Sequence, residues 1–220
     1  MTRLAQMDRE GSDGPGTGRV ASEGAVVVTA EAAETTRRRL TIKQAAVVQR
    51  LVDAAADEAR ERGYEGMTVR SAAKRAGVAP ATAYTYFASK DHLLAEVLWR
   101  RFDALPAGDH RPGASTLDRL TGALGDLGLF MADDPQLAAA CTTALLGSGP
   151  DVRALRVRFG AEFHDRIASA LGPDADPTVL LGLDLAYSGA MLWAGLGHLP
   201  YGGVPGALAD VARALLGGGR

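Results

Sequence analysis

The stretch TVRSAAKRAGVAPATAYTYF, residues 68–87, constrains this chain more than any other. Thr68 reads as an N-cap for the helix VRSAAKRA, which Gly77 stops. Pro80 then takes a first-turn position, where its fixed φ helps and its missing N–H costs nothing. It opens a second short helix running to about Tyr86. Upstream, Ala45, Val48, Val52, Ala55 and Ala59 recur at three- and four-residue steps in a longer helix beginning near Ile42. RGYEG ends that helix: Gly63 suits the C′ position, and Tyr64 can fold back on the apolar stripe. A long helix, a short one, a tight glycine turn and a second short helix describe a helix-turn-helix, whose second helix enters the major groove of DNA.

The outer face of the second short helix fits that task. A recognition helix must enter the groove without bulky side chains, and Pro80, Ala81, Thr82 and Thr85 present only small ones. Tyr84 and Tyr86 can donate O–H bonds to phosphates while their rings pack back on the core. Ser89 caps the next helix, with Asp91 in a first turn whose dipole favours an acid, and Leu94, Val97 and Leu98 carry it to about Phe102. At its head, Lys90 brings a charge beside N-terminal amides to another phosphate.

The remainder is also helical. After RPG at 111–113, helices are expected from about Ser115 to Ala132, from Pro135 to the GSGP at 147–150, and from an Asp151 cap to about Leu171. A very apolar helix spans about Thr178 to Leu196, and a last one about Ala207 to Leu216. No segment alternates like a strand and no repeat occurs, so the fold class is all-α.

Charge is informative in its distribution. The net charge is −2, yet residues 43–103 carry ten Lys/Arg against eight acids and residues 104–220 carry eight against twelve, so a polyanion meets the middle third first. The single cysteine, Cys141, excludes an internal disulfide and suits a reducing cytoplasm. No apolar run reaches the roughly 18–20 residues of a membrane helix, and no signal peptide is evident, so no membrane partner is expected. Residues 1–40 read as a disordered extension, Gly- and Ser-rich and without a period. It ends in Arg37, Arg38 and Arg39, which read as an arm reaching DNA.

TVRSAAKRAGVAPATAYTYFASKDHLLAEVL resembles the DNA-binding domain of TetR-type transcriptional repressors, whose pattern is T-x-x-x-I/A-A-x-x-A-G-V-S-x-x-T-L/A-Y-x-Y/H-F-x-S-K-x-x-L; the match runs from Ala46 to Trp99. The resemblance implies a helix-turn-helix DNA-binding domain over 41–88 and a helical ligand-binding and dimerisation domain over 89–220. It further implies a homodimer on a palindromic operator in double-stranded DNA, released when a small molecule enters the C-terminal core. Carried across, Thr68 caps the second helix and faces the backbone, and Arg70 reaches phosphate or the groove edge. Pro80, Ala81, Thr82 and Thr85 face bases, Tyr84, Tyr86 and Lys90 hold the backbone, and Phe87 belongs to the core. Two departures stand out. Ala79 replaces the usual serine cap, a loss of about 1 kcal/mol. The recognition helix also lacks Arg, Lys, Gln and Asn, so thymine methyls, Arg70, the arginine arm and DNA shape must supply discrimination.

For the sensing half, apolar walls with a few polar groups are expected. Candidates are Phe130, Met131, Leu137, Cys141, Leu145, Phe159, Phe163, Tyr187, Met191 and Trp193, with His164 able to orient a polar atom. Few charges lie among them, which suits a small apolar effector. This half resembles actinobacterial regulators of lipid and steroid catabolism, implying an acyl-CoA-like or steroid-like molecule. Pairing of subunits is expected through Leu180, Leu183, Ala186 and Ala190, with Gly189 allowing close approach. Enzymatic readings fail: there is no phosphate loop and no nucleophile elbow, and His92, His110, His164, His198 and Cys141 are scattered without metal-ligand spacing, so no catalytic residue, metal or cofactor is expected. The alternative is a helical DNA-binding or scaffold protein with no small-molecule effector.

Overall fold

The computed structural model describes residues 41–106 and 113–217; the N-terminal extension, with Arg37–Arg39, lies outside them. The described residues form nine α-helices and no strand. Helix α1 (Ile42–Gly66) starts on a capping box in which Thr41 and Gln44 each accept the other's backbone N–H. At Gly63 the chain leaves helical geometry, with φ 67°. This left-handed conformation is one that glycine adopts without strain, and it turns Tyr64 back against the apolar core. Helix α2 (Val69–Arg75) opens on a second capping box, Thr68 with Ser71. Gly77, at φ 65°, makes the turn into α3 (Pro80–Tyr86). There Ala79 gives no side-chain cap and Pro80 stands in the first turn. Ser89 caps α4 (Lys90–Asp103) by accepting the His92 N–H at 3.1 Å.

Five more helices follow: α5 (Thr116–Leu129), α6 (Pro135–Leu145), α7 (Pro150–Leu171), α8 (Pro177–Gly195) and α9 (Val204–Gly217), the last entered through a 3₁₀ turn at Tyr201–Gly203. Three boundaries differ from expectation, the first being α5, which ends at Leu129 rather than Ala132. Helix α7 is capped by Gly149, and Asp151 sits in its first turn instead. Helix α9 begins at Val204 rather than Ala207, because the turn at Tyr201 buries its ring and feeds the chain directly into the helix.

A continuous apolar core runs from Val48 to Ala212. In α1–α3 it is built from small and branched side chains, Val48, Leu51, Ala55, Ala72, Ala73 and Ala83, closed by Phe87. Helix α6 packs on both α1 and α4, α5 lies along α9, and α8 packs on α6, α7 and α9. Two glycines permit close crossings: a Cβ at Gly128 would stand 3.2 Å from Val204 and Pro205, and one at Gly195 would stand 2.6 Å from Thr142.

Helix α8 corrects two readings. Its 19 residues are long and apolar enough, by length and composition, to cross a bilayer, although only 22% of its apolar window is buried. The single Asp184 interrupts the run in the sequence without removing its apolar character. The outward stripe is also not the one expected. Leu183 is fully buried, and Leu180, Ala186 and Ala190 are half-buried against the core. Leu181, Leu185, Leu192, Trp193 and Leu196 face outward, Leu185 at 65% and Leu196 at 62% exposure. A helix apolar on every side carries no moment from which to read its orientation.

Candidate DNA-binding surface and effector cavity

One face of the α2–α3 unit is bare. Pro80, Ala81, Thr82, Tyr84 and Thr85 are exposed on α3, as are Thr68 and Arg70 at the start of α2. Tyr86 is half-buried against the core, and Phe87 is 3% exposed within it. Thr85 donates its hydroxyl to the Ala81 carbonyl at 3.1 Å, which commits its polar group to the helix. The methyl is left as what Thr85 can offer a groove, a surface suited to the thymine methyl.

What orients this face is an ion cluster the sequence reading missed. Glu58 of α1, 3% exposed, accepts from Arg75 Nε of α2 at 2.8 Å and lies 3.5 Å from Arg62 Nε. A second carboxylate, Glu61, takes Arg75 Nη2. Burial pushes the Glu58 carboxyl up, but the hydrogen bond from Arg75 and the charges of Arg62 and Arg75, with the Ser71 hydroxyl nearby, outweigh it and hold it below the usual range. Helix α2 is thereby tied to α1 by charge as well as by Val69 and Ala72.

Lys90, expected at a phosphate, is part-exposed and makes its contacts within the protein. Its Nζ donates to the Tyr64 carbonyl at 3.0 Å, lies 3.8 Å from the centre of the Tyr64 ring and is 3.9 Å from Glu65. The Tyr64 hydroxyl donates to Asp91 at 2.5 Å, and burial together with that carboxylate pushes its pKa up to about 12. The positive-φ turn at Gly63 brings Tyr64 back to the head of α4, a long-range return that residue spacing alone does not reveal.

The C-terminal helices form a half-open cavity of about 460 Å³ among α4, α6, α7 and α8. Phe130, Met131, Leu145, Phe159, Phe163, Tyr187 and Met191 line it, as do Leu98, Ala138, Thr142, Leu146, Arg156, Gly160, Asp184, Ser188 and Leu192. Phe163 and Tyr187 stack with ring centres 4.0 Å apart, and the Tyr187 hydroxyl donates to the Leu127 carbonyl at 3.2 Å. Three expected wall residues lie elsewhere. Cys141 and Leu137 are buried away from the lining, and burial pushes the Cys141 thiol up to about 12. Trp193 is 61% exposed, turned outward by the rotation of α8 and edge-on to His198. His164 does not line the cavity but reaches Asp184, which does, at 2.8 Å.

A larger groove of about 680 Å³ lies between α1 and α4, lined by Asp53, Asp57, Arg60, Glu96 and Arg100. Its charged groups satisfy one another, Arg100 with Glu96 at 2.8 Å and Arg60 with Asp57 at 2.7 Å. The smaller, apolar cavity is the better ligand site, because burying apolar surface there displaces no ion pair. Among the described residues, no three His, Cys, Asp or Glu side chains are grouped to hold a metal.

Residues 51–97 match the family described as bacterial regulatory proteins, tetR family. Over 178 residues the chain is 44% identical to an uncharacterized HTH-type transcriptional regulator of Mycobacterium tuberculosis, covering 80% of this chain and 83% of that one. The chain belongs to the tetR family. It is therefore a DNA-binding transcriptional regulator and not an enzyme. It is also 34% identical over 131 residues to the HTH-type transcriptional repressor KstR of Rhodococcus jostii, across 59% of this chain and 61% of that protein. The tetR-family fold is matched further by the crystal structure of a TetR transcriptional regulator from Rhodococcus sp. RHA1, with a TM-score of 0.65, 24% identity and coverage of 80% of this chain and 98% of that one.

Proposed function

We propose that this tetR-family regulator is a homodimeric repressor that binds a palindromic operator and is released by a small, mainly apolar effector. Residues 41–88 act as the DNA-binding domain and residues 89–220 as the ligand-binding and dimerisation domain. The observation that carries the reading is the shared wall. Leu98 of α4 lines the effector cavity, while the head of the same helix holds Tyr64 and so the end of α1. A ligand that displaces α4 thereby moves the frame on which α3 is mounted.

On DNA, Pro80, Ala81, Thr82 and Thr85 read bases, Tyr84 and Tyr86 position the phosphate backbone, and Thr68 and Arg70 meet its edge. Arg37, Arg38 and Arg39 extend the contact as an arm. Lys90 reaches phosphate through its half-exposed ammonium while still bound to Tyr64. Pairing of subunits uses the bare stripe of α8, Leu181, Leu185, Leu192 and Leu196, with α9 alongside. Covering it removes apolar surface from water and sets two α3 helices the roughly 34–36 Å apart that one DNA turn requires. The repressor sense is supported by the likeness to KstR, which is named a repressor. Among the candidate ligand residues, Phe130, Leu145, Phe163, Tyr187 and Met191 form the wall, while Cys141 and Trp193 act at most at a distance. An acyl-CoA-like or steroid-like effector agrees with this apolar lining, and a cytoplasmic location follows from the DNA partner.

The test is direct. DNA selected from a random pool by the purified chain is titrated at several salt concentrations, and the mass of the free protein is measured by light scattering. A dimer whose affinity falls steeply with salt and prefers a palindrome is expected. A monomer at micromolar concentration, or binding without sequence preference, overturns the reading.

A further inference from the structure

Two charged residues, Arg156 and Asp184, line the otherwise apolar cavity, and they are not equivalent. Asp184 has a partner on one oxygen only: its Oδ2 stands 2.8 Å from His164 Nδ1, while its Oδ1 is buried with no hydrogen-bond partner. Arg156 has no carboxylate partner among the described residues. Its Nη1 donates to the Leu145 and Gly147 carbonyls, at 2.5 and 2.8 Å, and its Nε and Nη2 donate to nothing among those residues. Arg156 is half-buried, and within the protein its charge meets only carbonyl dipoles, so a ligand that excludes water from it must itself supply the counter-charge. The Nε/Nη2 edge left over is the planar fork that matches two oxygens of one oxyanion.

The two carbonyls that Arg156 holds belong to the last residue of α6 and to the turn that leads into α7, and that turn abuts α4. A Cβ at Gly147 would stand 2.8 Å from Asp91 Oδ2, and Asp91 is the acceptor for the Tyr64 hydroxyl. Arg156 thus lines the cavity and also holds the Gly147 turn, which lies against Asp91 and so near the end of α1.

We propose that the effector carries an oxyanion, a carboxylate or a phosphate, on its apolar body, and that Arg156 receives it on the Nε/Nη2 edge. The proposal rests on the effector reading above and deepens it: the ligand is an amphipathic acid rather than a neutral lipid. Binding of the oxyanion draws on the same guanidinium that fixes the α6–α7 turn, so occupancy is felt at Asp91 and Tyr64.

Four ten-carbon probes below their micelle concentrations test this on the full chain: decanoate, decyl phosphate, decanol and decylamine. Affinity is read by thermal shift, and release by the shift of operator DNA. Decanoate or decyl phosphate should bind at least about tenfold more tightly than decanol, the difference expected when a charge-assisted bond replaces a neutral one, and should release DNA at lower occupancy. The preferred acid assigns carboxylate or phosphate. In Arg156→Met the advantage of the acid over decanol should vanish while decanol still binds, and Arg156→Lys should restore part of it. Because the readout is a ratio of two probes on one variant, a general loss of stability does not mimic it. Equal binding of all four probes, or an unchanged ratio in Arg156→Met, overturns the oxyanion site and leaves the effector reading standing. No binding by any probe overturns both.

Discussion

Replacing Arg75 by Met tests how the recognition unit is oriented. The substitution keeps most of the apolar stem and removes the guanidinium that bridges Glu58 and Glu61. Glu58 starts from 3% exposure, and Arg62, with its Nε at 3.5 Å, is the charge left beside it. Stranding a buried carboxylate typically costs about 3–5 kcal/mol. Arg62, whose side chain is 55% exposed, recovers only a screened part of that. The expected loss is therefore about 2–4 kcal/mol. At a urea slope of about 2 kcal/mol/M, the unfolding midpoint should fall by about 1–2 M.

The pH dependence carries the sign. Glu58 has a depressed pKa in the folded protein, so its contribution is fully present above the unfolded glutamate value of about 4.3 and is lost as pH falls through the folded value. In Arg75→Met, burial should dominate and raise that pKa, so protonation relieves the variant. The stability gap between the two proteins must narrow as pH falls from 7 towards about 3. A gap under about 1 kcal/mol at neutral pH, or one indifferent to pH, would show that water solvates this carboxylate after all.

Three other outcomes follow from the same geometry. Tyr86→Phe should weaken operator and non-specific DNA alike, by about 0.5–1.5 kcal/mol at fixed salt, whereas Thr85→Ser, which keeps the hydroxyl bound to Ala81 and removes only the methyl, should lower the preference for operator by about 1 kcal/mol; the reverse pattern in binding titrations would mean α3 docks in another rotation. Gly195→Ala should cost about 1–3 kcal/mol in urea unfolding, because its Cβ would press within 2.6 Å of Thr142, and an unchanged midpoint would refute that crossing. Gly160→Ala, exposed within α7 with no atom near its Cβ, should raise stability by about 0.5–1 kcal/mol, and a loss would show that the position is filled.

The helix-turn-helix was legible because its determinants are local. Caps at Thr68 and Ser89, the positive φ at Gly63 and Gly77, and Pro80 in a first turn are each set by a few adjacent residues, and each stands where the chain's own chemistry puts it. The cavity was half legible. Residues on α7, such as Phe159 and Phe163, belong to a helix with charged outer positions, so their spacing points inward. Helix α8 has no polar face, and its rotation is decided by packing on α6, α7 and α9. Trp193 and Leu183 were therefore exchanged between outside and inside. The inward turn of Lys90 and the pairing of Glu58 with Arg75 depend on contacts 26 and 17 residues apart along the chain, which no local pattern encodes.

Those long-range contacts also tie the first three helices to the rest of the fold. The DNA-binding helices are not hung on a loose tether. Asp134, at the head of α6, accepts from Arg60 of α1 at 2.6 Å and from Arg101 of α4 at 3.2 Å. Asp91, at the head of α4, accepts from Tyr64 and meets the turn that closes α6. Helix α6 thus bears on the DNA-binding half at both of its ends, and its middle, at Ala138 and Thr142, lines the cavity. Close-packed elements fixed at both ends do not bend to absorb a ligand; they shift as bodies between discrete arrangements. On the proposal that an effector enters the cavity, a molecule that enlarged it would push on α4 and α6 together. On the same proposal, the Asp134 and Asp91 contacts would carry that displacement to α1, and the Glu58–Arg75 tie would carry it on to α2 and α3.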